Sequence, residues 1–239
     1  MLDNPVENLL ALWEAGTNPL TLLSAARVES GDTPLAALPL GARDAALIEV
    51  QRGLFGPAIE TTVPCPACGE TAEVVLDAGD LLASARAPDR GATLPRVSMA
   101  GWEIEARPAD SRDMATIAGL GDVDEAARAL TSRLVTSCRH HGREADPATL
   151  PAEVIAALGN ALEAADPLAA IAVEIACPGC GGPIAALLDP AHHLARSVAA
   201  EAHRLLGEVA TLARFYGWRE ADILALSPMR RGAYLELAQ

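Results

Sequence analysis

Apolar residues recur at helical spacing along most of this chain. Leu9, Leu10, Leu12 and Trp13 mark a short amphipathic helix over 6–13, ended by Gly16 and Asn18-Pro19, and a second begins at Pro19 and runs toward position 28. Gly31-Asp32-Thr33-Pro34 reads as a turn. A third helix is predicted over 42–52, with Leu47, Ile48 and Val50 apolar, before Gly53-Leu54-Phe55-Gly56-Pro57 interrupts it. Further on, 110–117, 123–138 and 151–165 carry the helical pattern, and Ala126, Ala127, Leu130, Leu134 and Val135 share a compatible face of the second. Asp189-Pro190 starts a long helix toward Phe215 that Gly217 ends. Two shorter helices follow, over 220–226 and from Pro228 to Leu237 behind Ser227. Strand patterns are few: 59–63, 171–176, and a partly alternating stretch over 97–106 that suits a strand or hairpin. Between 78 and 95 the signal is weak, with a short helix expected over 80–86.

Composition supports this reading. With 239 residues and 51% hydrophobic content the chain can bury a core, as one large domain or two modest ones. Aromatics are only 3%, so the apolar content is mostly Ala and Leu, which favours packed helices. A net charge of -14 has the wrong sign for condensing on nucleic-acid phosphates or anionic lipid. The N-terminal Met1-Leu2-Asp3-Asn4-Pro5 has neither a basic nor an apolar leader pattern, and no run approaches the ~18 apolar residues of a membrane span. A soluble cytoplasmic protein is expected.

The candidate chemistry lies in a repeat. Cys65-Pro66-Ala67-Cys68-Gly69 and Cys177-Pro178-Gly179-Cys180-Gly181 are near copies, and the likeness extends without gaps to Asp77 and Asp189. Each copy follows a strand-like run, so the unit is strand, CPxCG knuckle, strand. Two such units supply the four thiolates of a closed tetrahedral zinc site: Cys65, Cys68, Cys177 and Cys180. Cysteine offers a soft anionic sulfur, and the glycine after each second cysteine lets backbone amides turn toward it. Paired CxxC spacing suits metal-holding thiolates in a reducing compartment better than a secreted disulfide framework. The expected fold class is therefore mainly α with a small β zinc ribbon (α+β). It divides into an N-terminal helical segment 1–58, a first hairpin 59–78, a mainly helical insert 79–170, a second hairpin 171–189 and a C-terminal helical interaction segment 190–239. A structural zinc would hold an N-terminal helical part against a C-terminal one.

Four thiolates leave no coordination position for water or substrate, which disfavours catalytic zinc. Each CxxC follows a strand rather than opening a helix, against a thioredoxin-like role. Cys138, on the helix predicted over 123–138, reads as a buried free thiol followed by exposed His140 and His141. His192, His193 and His203 fall on a solvated face of the long helix. No G-x-S-x-G, Walker A, dinucleotide fingerprint or H-E-x-x-H occurs. The chain is not expected to be an enzyme.

A denser feature is the stretch 208–237, which carries Phe215, Tyr216, Trp218, Ile223, Leu226, Arg230, Arg231 and Tyr234. Aromatic and Arg residues are common interface anchors, and a small core for the terminal helices is the alternative. Its order of aryl-Gly-Trp, acidic, Ile-Leu, Leu-Ser-Pro, Arg-Arg and Tyr-Leu resembles the C-terminal motif of baseplate hub assembly chaperones of contractile-tailed phages and contractile injection systems. Leu38-Pro39-Leu40-Gly41-Ala42-Arg43-Asp44-Ala45-Ala46-Leu47, then Leu54-Phe55-Gly56-Pro57 and CPxCG, is similar to the front of the same group. Positions 80–180 match it only loosely. The resemblance implies a non-enzymatic assembly factor or small baseplate component that binds hub or baseplate proteins, in the bacterial cytoplasm or carried in a tail-like particle. By that likeness Tyr216, Trp218, Ile223, Leu226 and Tyr234 would dock the partner, and Arg230 and Arg231 would meet its acidic groups. The alternative from another class is a zinc-ribbon nucleic-acid-binding or regulatory protein, against which the net charge argues.

Overall fold

The computed structural model describes residues 5–85 and 94–238. In chain order it contains α1 (Pro5–Glu14), α2 (Pro19–Ala25), α3 (Leu40–Phe55), β1 (Ala58–Pro64), β2 (Thr71–Asp77), α4 (Ala78–Ala85), β3 (Arg96–Met99) and β4 (Trp102–Ala106). There follow α5 (Ser111–Ile117), α6 (Val123–Leu134), β5 (Val135–His140), β6 (Arg143–Glu144), α7 (Ala152–Ala165), β7 (Ile171–Ala176), β8 (Pro183–Leu188), α8 (Pro190–Tyr216), α9 (Glu220–Leu224) and α10 (Pro228–Leu237). The fold is mixed helix and sheet. The chain forms two compact units, one from Met1–Val28 with Ala191–Gln239, the other Glu29–Pro190. The five-part division expected from sequence separates the two ends of the chain; the structure joins them in one unit.

In the terminal unit, Asn18 caps α2 by accepting from the amides of Leu20 and Thr21 at 2.9 and 3.3 Å. Leu9, Leu12, Leu22 and Leu23 are buried, as are Leu194, Val198, Ala202 and Leu205 at helical spacing along α8. Trp13 and His203 meet edge to face, 5.6 Å between ring centres, which lays α1 beside α8. A second core joins Val209 and Leu212 to Ile223, with Tyr216, Trp218 and Tyr234 around it.

The larger unit contains two separate antiparallel hairpins, β1–β2 and β7–β8, and an antiparallel sheet in the order β3-β4-β5-β6. The hairpins are equivalent at a constant offset of 112 positions (177 − 65). Ile59 and Ile171, with Leu76 and Leu188 beside them, meet in one core that α3 and α4 close with Ile48, Ala78 and Leu82. Ala72 and Ile184 meet in another, with Cys65 and Cys177. The correspondence continues past the cysteines, because a helix follows each hairpin directly: Asp77 accepts from the Asp80 amide at 3.0 Å to start α4, and Pro190 starts α8. Helix α3 extends beyond its expected end through Gly53 to Phe55. Arg86, the expected end of the helix at 80–86, lies outside the described residues.

The insert carries the four-stranded sheet together with α5, α6 and α7. The helix predicted over 123–138 stops at Leu134, and Val135 begins β5, so Cys138 lies on a strand opposite Ile104. Two forces favour the strand: Val135 and Thr136 are β-branched, and β4 offers a ladder partner. Thr136 is the extra residue of a bulge and its hydroxyl donates to Glu105 O at 3.2 Å. His140 is not freely exposed as expected, since its ring stacks on Trp102 at 4.2 Å. One face of the sheet packs against α7 through Trp102, Ile104, Cys138, Val154 and Leu158.

Charged groups brace this insert. Buried Asp113 receives Arg107 at 2.7 and 2.8 Å and Arg133 at 3.1 Å, and exchanges capping bonds with Asp110 at the start of α5. The Arg107 guanidinium holds the Asp113 carboxyl down at about 2. Asp44 and Asp166 behave oppositely, raised above the usual carboxylate range by burial. A depressed folded-state value gives stability that is present above the ordinary aspartate range and lost as pH falls toward 2. Raised values give stability that is lost as pH rises through them. Asp113→Asn is expected to cost about 2 kcal/mol near pH 6. The difference between the wild-type and variant chains should close between about pH 4 and pH 2, as read by denaturant unfolding across that range.

Candidate metal centre

The two knuckles fold alike. In the first, the Cys65 amide donates to Glu70 O at 2.7 Å and the Gly69 amide to Cys65 O at 2.9 Å; in the second, Cys177 donates to Gly182 O at 2.8 Å and Gly181 to Cys177 O at 2.9 Å. Both turns need a left-handed residue, which Gly69 and Gly181 supply with φ of 77° and 73°. The Glu70 side chain lies over Gly179, where a β-carbon would stand 3.2 Å from Glu70 Cγ.

The ligand atoms of Cys65, Cys68, Cys177 and Cys180 all lie within 4.8 Å of one another. Contact runs crosswise between knuckles: Cys65 Sγ is 3.8 Å from Cys180 Sγ, and Cys68 Sγ is 3.6 Å from Cys177 Sγ. A twofold relation exchanges these two contacts. Burial obeys it too, since Cys65 and Cys177 are each 3% exposed while Cys68 and Cys180 face solvent.

Sulfur electrostatics explain what the cluster can hold. The Cys180 amide, joined by that of Gly179, donates to Cys177 and holds its thiol down at about 7. The Glu70 amide favours the Cys68 thiolate, but contacts with the thiols of Cys177 and Cys180 outweigh it and push Cys68 up to about 12. The cluster thus favours ionising one sulfur while opposing the next. A cation at the centre removes that conflict, because metal ligation needs all four as thiolates. The four sulfurs could hold a metal ion, and they form a closed set.

Other candidate residues lie elsewhere. Cys138 is buried on β5, away from the cluster. Of the residues expected to face a partner, Ile223 is fully buried in the terminal core, and Arg231 is only 2% exposed. Arg231 donates from Nε to Glu208 at 3.0 Å and from Nη1 to the Leu226 carbonyl at 2.7 Å. It thereby joins α10 to α8 and satisfies the chain end after α9. Glu208 also pairs with Arg204, which pairs with Glu201. Tyr216 stacks on Trp218 at 4.5 Å, Tyr234 stands perpendicular to Trp218 at 4.8 Å, and the Tyr216 hydroxyl donates to Tyr234 O at 3.3 Å. These three and Leu226 are half-buried, and Arg230 is exposed. Sequence reading missed Glu208, because its partner is 23 positions away with no local pattern connecting them.

No protein-family model matches the chain, and no curated protein or solved structure matches it significantly. Among the described residues no helix is long and apolar enough to cross a membrane.

Arg231 and Arg230, adjacent in sequence, are expected to respond very differently to truncation. Arg231→Ala removes a buried guanidinium, leaving Glu208 with Arg204 as its cation partner and the Leu226 carbonyl without this donor, with an expected loss on the order of 3 kcal/mol, whereas Arg230→Ala should change stability by about 0.5 kcal/mol or less. Thermal and denaturant unfolding of the two variants measures the contrast.

Proposed function

We propose that this chain is a non-enzymatic assembly factor stapled by one structural zinc, acting on hub or baseplate proteins of a phage-like contractile tail or injection system. The observation that carries the metal reading is the spacing of the sulfurs. Four thiolates about 2.3 Å from a central zinc span tetrahedral edges of about 3.8 Å; the crosswise separations are 3.8 and 3.6 Å. The hairpins that present them are then the two halves of a zinc ribbon. A closed four-thiolate site acts structurally, and its binding energy becomes folding energy.

The assembly role is supported by the terminal stretch 208–237 and the front 38–57, which resemble baseplate hub assembly chaperones. The chain acts as such a chaperone or stays in the particle as a small component. Nucleic-acid binding is the weaker reading: the net charge is -14, and Arg231, half of the arginine pair it would use, is buried in an ion pair.

Protein purified without chelator is expected to contain one zinc per chain by metal analysis. Cys65→Ser and Cys180→Ser should each lower the metal content and the unfolding midpoint, and metal-free wild-type preparations of unchanged stability would refute the staple. Affinity purification of the full chain from its native cell is expected to bring down hub or baseplate proteins. Their absence, together with normal particle assembly in a deletion strain, would overturn the assembly role.

A further inference from the structure

We infer that the four-cysteine cluster is also a thiol–disulfide device that oxidises crosswise, Cys65 with Cys180 and Cys68 with Cys177, so that oxidation replaces a metal clamp by a covalent one. The inference rests on the four-sulfur geometry and not on the assembly role. Each knuckle exposes its second sulfur, Cys68 or Cys180, and buries its first. An oxidant from solvent therefore reaches Cys68 and Cys180 first. The sulfur in contact with each belongs to the other knuckle: Cys177 lies 3.6 Å from Cys68, and Cys65 lies 3.8 Å from Cys180. Both crosswise pairs thus combine one accessible sulfur with one sheltered sulfur.

The chemistry balances with a low-molecular-weight disulfide as oxidant. In the metal-free cluster the exposed Cys180 loses its proton and attacks one sulfur of RSSR, forming Cys180–S–SR and releasing RS⁻, which takes up that proton. Cys65 then attacks Cys180 Sγ, the S–SR bond breaks, and the second RS⁻ takes up the proton that Cys65 gave up. Two cysteine thiols are oxidised and one RSSR is reduced to two RSH, and a zinc ion held by the cluster would pass to solvent as its thiolates are consumed. The Cys68–Cys177 pair follows the same steps by the twofold relation. Crosswise closure spans 109 and 115 positions, so it ties together the same two distant hairpins. A disulfide within a knuckle would connect only residues already three positions apart and would leave the hairpins free of one another.

The test uses the full-length chain, its metal content measured beforehand so that failure of the zinc reading is scored separately. The chain is exposed to oxidised glutathione, blocked with an alkylating agent and mapped by mass spectrometry without reduction. In the folded chain the Cys65–Cys180 and Cys68–Cys177 peptides should exceed the Cys65–Cys68 and Cys177–Cys180 peptides by at least about tenfold. The order should reverse in denaturant, where closure of the shorter loop costs less entropy. Cys138, buried on β5, should stay unmodified in the folded chain. A majority of within-knuckle disulfides in the folded chain, persistent glutathione adducts without cross-links, or the same ratio in both states would overturn the inference.

Discussion

Four sulfur atoms from two places in the chain must meet within a few ångströms, and the larger unit is arranged around that meeting. An isolated two-stranded hairpin is marginal in water. Each knuckle hairpin is stable here because its inward residues find their counterparts from the other: Ile59 with Ile171, and Ala72 with Ile184. Bringing these segments together across more than a hundred positions costs loop-closure entropy of about 5 kcal/mol. Apparent binding free energies of structural zinc reach about 10–16 kcal/mol, enough to cover that cost with a margin. Apolar cores between the hairpins reduce the share that the proposed metal must supply.

The twofold relation also explains where the chain diverges. After the first hairpin the chain enters α4, whose Leu82 packs into the hairpin core, and then departs into the four-stranded insert. After the second it enters α8, where Leu194 is buried at the equivalent position, and departs into the terminal unit. All four cysteines lie in Glu29–Pro190, while the chain ends lie in the other unit. The expectation that the metal would hold an N-terminal helical part against a C-terminal one thus gives way to a different role. A metal held by the four cysteines would close the base of the insert within a single unit, while the two chain ends associate through helical burial of their own.

What could be read from sequence was local. The repeated CPxCG places four donors by spacing alone, and proline signals set helix starts at Pro19 and Pro228, where Asn18 and Ser227 accept backbone amides. Features depending on distant partners were not legible. Leu130 and Leu134 continue a helical stripe into Val135, and only pairing with Ile104 and Glu105 turns the chain into β5. Arg231 looks like a free cation because Glu208 is far from it in sequence. Ile223 looks like an interface residue because small cores and interfaces share the same composition.

These placements alter the part of the assembly reading that concerns contact residues. Ile223 and Arg231 hold the terminal helices together, so their loss would disrupt the surface that a partner meets rather than a direct contact with it. On α10 the inward positions are Arg231, Tyr234 and Leu235, while Met229, Arg230, Ala233, Glu236 and Leu237 face solvent. Helical periodicity makes these two groups opposite faces of one short helix. The Arg-Arg dipeptide is therefore divided: Arg231 builds the unit, and Arg230 is the member of the pair that faces solvent. Adjacent residues of one type can serve stability and binding separately because successive helix positions are rotated by about 100°, and only burial distinguishes them.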